Sequence, residues 1–342
     1  MNDLDRYSRQ TRFPDFGETG QRRLAQSRAF LCGCGALGST VANLLVRAGV
    51  GFLRIVDRDF VELSNLQRQS LFDEADATNG TPKAVAAAET LRAINSTVTV
   101  EPIVADVEPA SIERFCEGMD ILLDGADNFE TRFLLNDAAL KLDIPWIYAG
   151  CVGAEGQTMT VLPGETACLR CLIPECPPPG ASPTCETAGI LGPIVGVIGS
   201  IEAAEAMKIL AGRRQDISRD LMVIDLWRNN FQRIDVRTLR DRVDCPACKR
   251  GEYDWLSGRV GSRSAMLCGR NAVQLSRVGA SISLDELAAR LQGVGQVVRN
   301  QYLLRLTVEG CEITVFPDGR AIVSGVDDIA AARAVYAKYV GQ

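Results

Sequence analysis

The sequence predicts an α/β protein with a Rossmann-like, doubly wound and mostly parallel sheet, an antiparallel extension of that sheet and a small C-terminal α+β domain. The first observation is that short apolar runs alternate with helical patterns between residues 28 and 149, which is typical of parallel βαβ units. The second is that this alternation then stops. Strand-like segments at 157–162, 221–226 and 231–236 follow, with turn signals between them, and such segments predict antiparallel strands.

The length and a change in composition predict two domains. A chain of 342 residues is long enough for about two domains. We expect the larger domain to span residues 1–250, a polar, glycine-containing linker to span 251–264 and the smaller domain to span 265–342. In the smaller domain the pattern predicts a three- or four-stranded antiparallel sheet covered by two helices.

The composition excludes several classes of function. No apolar run reaches the ~18 residues of a membrane span, and the N-terminal segment Met1–Arg12 lacks the apolar core of a secretion signal, so we expect a cytoplasmic protein without a membrane partner. The net charge is −6 and there is no long basic block, which argues against a nucleic-acid partner. The chain contains no histidine, and this excludes a Ser-His or Cys-His catalytic pair.

The segment Arg28–Asp57 carries the pattern of a nucleotide-binding turn. An apolar run is followed by Gly33, Gly35 and Gly38, then by a helical pattern and a second apolar run that ends at Asp57. The first glycine permits a tight turn, the second lets the backbone approach a phosphate, and the third lets helix and strand pack closely. Asp57 is placed to accept hydrogen bonds from a ribose. Alone, this motif also fits an ordinary turn or an NAD-dependent dehydrogenase.

Four polar residues follow the predicted strands at their carboxyl ends: Arg68, Lys83, Asp127 and Asn128. Two cations and a carboxylate suit a nucleoside triphosphate with Mg²⁺, because the cations neutralise phosphate charge and Asp127 can hold the metal. A nicotinamide would need a second mononucleotide half and usually a substrate acid or base, often the histidine that this chain lacks. The pattern therefore favours a triphosphate over hydride transfer.

Two C-x-x-C sequences, Cys168/Cys171 and Cys245/Cys248, predict a metal site. Paired C-x-x-C elements are typical of tetrahedral Cys₄ zinc, and no ligand position is left for water, so we expect a structural Zn²⁺. The alternatives are two disulfides or free thiols.

A further cysteine, Cys185, follows a proline- and cysteine-rich segment. It is either a semi-buried structural residue or a thiolate that accepts an activated acyl group. Because there is no histidine to activate it, a helix N-terminus or a neighbouring cation would have to lower its pKa.

The chain resembles the MoeB/ThiF family, whose members are relatives of the ubiquitin-activating enzymes. The elements that carry the resemblance are, in order, Arg6-Tyr-Ser-Arg9-Gln, Gly33-x-Gly-x-x-Gly38, Asp57-x-Asp59, Ser64-Asn65-Leu66-Gln67-Arg68-Gln69, Lys83, Asp127-Asn128 and the paired C-x-x-C sequences. The resemblance covers residues 1–250. It implies an ATP-dependent adenylyltransferase that activates the C-terminal glycine of a ubiquitin-like sulfur-carrier protein ending in Gly-Gly. Pyrophosphate is released, and the acyl-adenylate serves sulfur transfer in thiamin, molybdopterin or related biosynthesis.

The resemblance also implies roles for individual residues. Arg9 matches an arginine that reaches into the partner subunit's site, which implies a homodimer. Arg68, Lys83 and Asp127 act with Mg²⁺ as an electrostatic clamp on the phosphates, and Cys185 matches a reactive cysteine whose duty differs among members. The residues implied to contact ATP or its metal are Gly33, Gly35, Gly38, Asp57, Asp59, Asn65, Arg68, Gln69, Lys83, Asp127 and Asn128.

Other partners and other functions stay open at this point. A sulfurtransferase or a cysteine desulfurase would supply sulfur. The segment 265–342 departs from the minimal family pattern, and we interpret it as an accessory module for carrier docking or dimer support. One alternative function is adenylation of a different acceptor, such as a peptide or a tRNA base. Another is a dimeric scaffold that binds nucleotide without turnover.

Overall fold

The computed structural model divides the chain into two compact units. The larger unit consists of Met1–Pro177 and Ala188–Val260, and the smaller of Pro178–Thr187 and Gly261–Gln342. The residues that the structure describes are 4–178, 185–260, 266–267, 272–275, 282–326 and 328–340.

The larger unit is built on an eight-stranded sheet. Its strands are β1 Arg28–Cys32, β2 Phe52–Val56, β3 Thr99–Ile103, β4 Ile121–Asp124, β5 Trp146–Val152, β6 Glu155–Val161, β7 Leu221–Asp225 and β8 Asn230–Ile234. Their spatial order is β3-β2-β1-β4-β5-β6-β7-β8. The first five strands pair in parallel and the last three are added antiparallel. This confirms the predicted parallel sheet with an antiparallel extension.

Helices cover both faces of this sheet. The helices of this unit are α1 Ser8–Thr11, α2 Gly17–Leu24, α3 Ala36–Ala48, α4 Glu74–Asn79, α5 Lys83–Ile94, α6 Ile112–Cys116, α7 Phe129–Leu142, α8 Leu169–Leu172, α10 Gly192–Leu210 and α11 Leu239–Arg242. The short helix α9, Cys185–Ala188, begins in the segment that is grouped with the smaller unit. Side chains alternate along β1, so that Leu31 packs into one apolar core with Leu45 of α3, and Phe30 packs into a second core with Phe133 of α7. Burial on both faces explains why the strands are continuous apolar runs.

The sheet reverses its winding between β1 and β4. The chain runs from β1 outward to β2 and β3, and it then returns to place β4 on the other side of β1. Ligands of open α/β sheets bind beyond the carboxyl ends of the strands at such a switch point. We therefore expect the loops after β1, β2 and β4 to form the ligand-binding site.

The part of the smaller unit that follows Val260 is an antiparallel sheet with two helices among its described residues. The strands are β9 Met266–Leu267, β10 Ala272–Leu275, β11 Gln296–Arg299, β12 Leu304–Val308, β13 Cys311–Val315 and β14 Ala321–Ser324, and the helices are α12 Leu284–Leu291 and α13 Ile329–Tyr339. The spatial order is β11-β12-β13-β14-β10-β9. The prediction of three or four strands was wrong, because β9 and β10 are too short to show an alternating pattern and exist through pairing with each other and with β14.

The segment that follows the second C-x-x-C packs into the larger unit as far as Val260. The ring of Trp255 lies 5.5 Å from that of Phe133. The backbone N–H groups of Trp255 and Leu256 donate to one carboxylate oxygen of Asp137, at 3.0 and 3.4 Å. Residues 251–260 of the predicted linker thus have a fixed place in the fold, and 261–264 lie outside the described residues.

None of the helices in the described part of the chain combines the length and hydropathy that a membrane crossing requires.

Candidate active site

The three positions of the turn after β1 are occupied by glycine for different structural reasons. Gly33 has φ +86°, and a Cβ there would lie 2.5 Å from the carbonyl oxygen of Gly125 in the loop after β4. A Cβ on Gly38 would overlap the carbonyl oxygen of Gly33. A Cβ on Gly35 would meet only the side-chain nitrogen of Gln69, at 3.9 Å. The fold itself therefore needs Gly33 and Gly38, whereas Gly35 leaves open space in front of the N-terminus of α3, where an anion is favoured.

Asp57 holds this turn against the end of β2. Its Oδ2 accepts the backbone N–H of Cys34 at 2.6 Å, and its Oδ1 accepts that of Asp59 at 2.7 Å. Only 8% of Asp57 is exposed. Burial raises the pKa of this carboxyl, and the Lys83 ammonium opposes the shift.

Lys83 opens helix α5 and brings a buried positive charge to the same edge. Its Nζ lies 3.1 Å from Oδ2 of Asp59. Its backbone N–H donates to the carbonyl of Asp59 at 2.9 Å. The residue is 4% exposed, and a buried ammonium requires a partner of opposite charge. The helix start and the loop after β2 are therefore fixed together.

The polar loop that follows β2 supplies further groups. Asn65 is 2% exposed and Gln69 is 4% exposed. The side-chain oxygen of Gln69 is buried without a hydrogen-bond partner, which is unusual for a group of this kind. Arg68 is half-buried, and its Nη1 donates to the carbonyl of Ser64 at 2.9 Å. A ligand that donates a hydrogen bond would satisfy the Gln69 oxygen.

The loop after β4 presents a carboxylate to solvent. Asp127 is exposed and accepts a hydrogen bond from the side-chain nitrogen of Asn128 at 3.0 Å. Asn128 also caps α7, because its Oδ1 accepts the backbone N–H of Thr131 at 2.8 Å. The helix therefore begins at Phe129, and the cap orients the Asp127 carboxylate.

A buried network of charged side chains supports the loop after β4 from the protein interior, and sequence reasoning missed it. Arg132 of α7 lies 3.4 Å from Oδ2 of Asp124 and donates to the carbonyl of Ala126 at 2.8 Å. Glu202 of α10 accepts the backbone N–H of Asp124 at 2.9 Å. Burial raises the pKa of Asp124 to about 6, although Arg132 opposes it, and burial raises the pKa of Glu202 well above its usual value. In the sequence these charges look like ordinary polar faces of helices.

Arg9 lies exposed on the N-terminal arm, in α1. The arm is attached to the core on both sides of it. The hydroxyl of Tyr7 accepts a hydrogen bond from Asn95 at 2.9 Å, and Gln10 donates to the carbonyl of Ala48 at 3.0 Å. The position of Arg9 is therefore set by its neighbours.

The four cysteines of the paired C-x-x-C sequences meet in one cluster. Their sulfur atoms all lie within 4.8 Å of one another, with separations of 3.8 Å for Cys168–Cys171, 3.6 Å for Cys168–Cys245 and 3.4 Å for Cys171–Cys248. A zinc–sulfur bond of about 2.3 Å gives a tetrahedral edge of about 3.8 Å. The donor set and its spacing therefore fit Zn²⁺, and none of the four cysteines forms a disulfide.

Cys185 is half-buried at the start of the four-residue helix α9, Cys185–Ala188. Its segment is grouped with the smaller unit, whereas the residues predicted to contact nucleotide all belong to the larger one.

The family model described as the ThiF family matches residues 7–247. The chain therefore belongs to the ThiF family, as its sequence motifs indicate.

Relatives with assigned names extend this match. The chain is 43% identical to a protein named sulfur carrier protein ThiS adenylyltransferase from Bacillus subtilis (strain 168), over 98% of this chain and 99% of the relative. It is 41% identical to the SAMP-activating enzyme E1 of Haloferax volcanii, over 73% of this chain and 91% of the relative. It is 40% identical to the adenylyltransferase and sulfurtransferase MOCS3 of Sus scrofa, over 72% of this chain and 54% of that relative.

Solved structures show the same fold. E. coli MccB crystallised with ATP superposes with a TM-score of 0.59 at 23% identity, over 71% of this chain and 73% of MccB. The complex of MccB with MccA-N7isoASN superposes with a TM-score of 0.62, over 71% and 74% of the two chains.

Proposed function

We propose that this protein is an ATP-dependent adenylyltransferase that activates the C-terminal glycine of a ubiquitin-like sulfur-carrier protein. The observation that carries the proposal is the convergence of Gly35, Lys83 and Asp127 at the carboxyl edge of one sheet. An open anion seat, a buried cation and an exposed carboxylate suit a triphosphate with its metal. The name of the Bacillus subtilis relative, sulfur carrier protein ThiS adenylyltransferase, supports a sulfur carrier as the acceptor.

The carrier is of the ThiS type. The relative named for ThiS aligns with 98% of this chain and so with both units, whereas the relatives named for SAMP and MOCS3 align with 73% and 72%. The smaller unit is then an accessory module that serves carrier docking or the dimer. We accordingly propose that the enzyme is cytoplasmic and acts in thiamin biosynthesis.

The phosphates lie across the turn after β1, in front of α3. Lys83 and Arg68 neutralise their charge, and the Asp57 carboxylate holds the ribose as well as the turn. The orphaned oxygen of Gln69 accepts a hydrogen bond from the nucleotide. Asp127 would hold Mg²⁺, which supplies further neutralisation of the phosphate oxygens when bound.

The reaction needs no protein base, which agrees with the absence of histidine. The carrier's terminal carboxylate is ionised at neutral pH, and its oxygen attacks the α-phosphorus. A carboxyl–phosphorus bond forms and the bond to pyrophosphate breaks, with both electrons leaving on pyrophosphate. Catalysis then consists of positioning and of charge neutralisation by Lys83 and Arg68.

Arg9 completes the site of a second subunit, so the enzyme is a homodimer. An exposed arginine on an arm that is attached to the core by Tyr7 and Gln10 is suited to reach a neighbouring chain. A guanidinium delivered in this way adds a bidentate phosphate contact.

The Cys₄ cluster holds a structural Zn²⁺. Cys168 precedes α8 and Cys171 lies within it, and Cys245 and Cys248 lie 77 residues further along the chain. Four sulfur ligands leave no open position, so the metal joins two distant segments and stabilises the fold. The acyl-adenylate is consumed by a sulfur nucleophile from a sulfurtransferase or cysteine desulfurase. The sulfur attacks the acyl carbon, a carbon–sulfur bond forms, and the carbon–oxygen bond to AMP breaks with AMP as the leaving group. In this proposal Cys185 takes part in that transfer.

ATP–pyrophosphate exchange tests the proposed function. The purified protein is incubated with ATP, labelled pyrophosphate and a ThiS-like carrier that ends in Gly-Gly. Label enters ATP only when the intact carrier is present, and a carrier without its last glycine is the matched control. Binding of ATP without carrier-dependent exchange would contradict the proposal.

A further inference from the structure

A second cluster of charges lies at the ends of β2 and β3, next to the residues already described. Arg58 follows Asp57 directly, and its Nη1 donates to both carboxylate oxygens of Asp106 in the loop after β3, at 3.0 and 3.2 Å. Its Nε lies 3.8 Å from Oδ1 of Asp59. Asp59 in turn pairs with Lys83. The guanidinium is therefore held by hydrogen bonds to Asp106 and lies within ion-pair distance of Asp59.

The geometry of the sheet gives the direction in which a bound nucleotide runs. The phosphate seat lies at the end of β1 and the ribose-binding Asp57 at the end of β2. The next strand in the same direction is β3. A nucleotide that follows this line places its base beyond the ends of β2 and β3, where Arg58 and Asp106 lie.

The chemistry of Arg58 suits a base in that position. Its Nη1 is engaged by Asp106, its Nε lies beside Asp59, and its side chain is still 22% exposed. What remains for a ligand is a flat face, and a guanidinium face stacks on aromatic rings. A phosphate would have to compete with the Asp106 and Asp59 carboxylates for the N–H groups on Nη1 and Nε, whereas a stacked base would not.

We propose that Arg58 is a positioning residue whose guanidinium plane, oriented by Asp106, forms the platform on which the adenine of ATP stacks. This inference rests on the proposed function, because it uses the same nucleotide site. It adds a group that recognises the base, whereas the residues described above contact the ribose and the phosphates.

The experiment distinguishes stacking on the planar guanidinium of Arg58 from attraction of the phosphates to its charge. Affinities for ATP, AMP and inorganic tripolyphosphate are measured by calorimetry for the wild type and for Arg58→Ala, Arg58→Lys and Arg58→Tyr. Loss of a stacking contact costs about tenfold in affinity. We therefore expect Arg58→Ala and Arg58→Lys to bind ATP and AMP about tenfold more weakly and tripolyphosphate normally. Arg58→Tyr, which is planar and uncharged, keeps its affinity for ATP and AMP.

The opposite results overturn the inference. If tripolyphosphate binding falls in parallel with ATP binding, or if Arg58→Lys restores affinity and Arg58→Tyr does not, Arg58 acts through its charge on the phosphates. If all three variants bind AMP like the wild type, it has no part in binding. Asp106→Asn keeps the size of the side chain, and the platform predicts weaker AMP binding there at an unchanged thermal midpoint. Wild-type protein that binds neither ATP nor AMP would instead refute the proposed function.

Discussion

Replacement of Gly35 by alanine should separate nucleotide binding from stability. The added Cβ has no neighbour closer than 3.9 Å, and the residue has φ −76°, outside the left-handed region. We expect the free energy of unfolding to change by about 1 kcal/mol or less. The methyl group fills the open space that a phosphate must enter. Loss of one or two charge-assisted hydrogen bonds costs about 3 kcal/mol.

That cost corresponds to an increase of about 100-fold in the Kd for ATP. The assay is ATP titration by calorimetry, with thermal unfolding of the same samples. Gly38→Ala is the matched control, because its Cβ would overlap the carbonyl oxygen of Gly33, and overpacking of this kind costs about 1–3 kcal/mol of stability. Gly35→Ala protein that binds ATP like the wild type would refute the assignment of the phosphate seat.

Three further predictions follow from the site and its supports. Lys83→Ala should lower carrier-dependent exchange by about 100-fold or more, and the control Lys141→Ala should leave it unchanged. Mixing Lys83→Ala with Arg9→Ala protein should restore activity if Arg9 acts in the partner's site. Mixtures as inactive as the separate variants would contradict the dimer. Cys248→Ala should lose zinc in a metal assay and lower the thermal midpoint by several degrees, whereas Cys311→Ala should keep both; zinc retained at wild-type content would count against the cluster. Glu202→Gln should match the wild type near pH 5 and become the more stable of the two as pH rises toward 8 in urea unfolding. The raised pKa keeps Glu202 protonated in the folded state while the unfolded state releases the proton, so the free energy of unfolding of the wild type falls as the pH rises. Parallel pH profiles would contradict a raised pKa.

Periodicity and local motifs were sufficient to predict the sheet and the nucleotide turn. The run from β1 through α3 to β2 is continuous in sequence, and its glycines have local geometric roles. The strand β2 ends at Val56, directly before the aspartate that closes the predicted second apolar run.

The supports of the site could not be predicted, because they depend on contacts between residues far apart in the chain. Glu202 meets Asp124 across 78 residues, and Arg58 meets Asp106 across 48. A charge on a helix or in a loop looks solvated until the fold buries it. The strands β9 and β10 were missed for the same reason, since only pairing defines them.

The central claim is that AMP is transferred to the C-terminal carboxylate of a ubiquitin-like carrier. Intact-protein mass spectrometry of the carrier, after incubation with this protein, ATP and Mg²⁺, tests it most directly. We expect the carrier to gain the mass of AMP, to lose this adduct on addition of pyrophosphate, and to form no adduct when its last glycine is removed. An adduct on another acceptor, or bound ATP that stays unconverted beside an intact carrier, would contradict it.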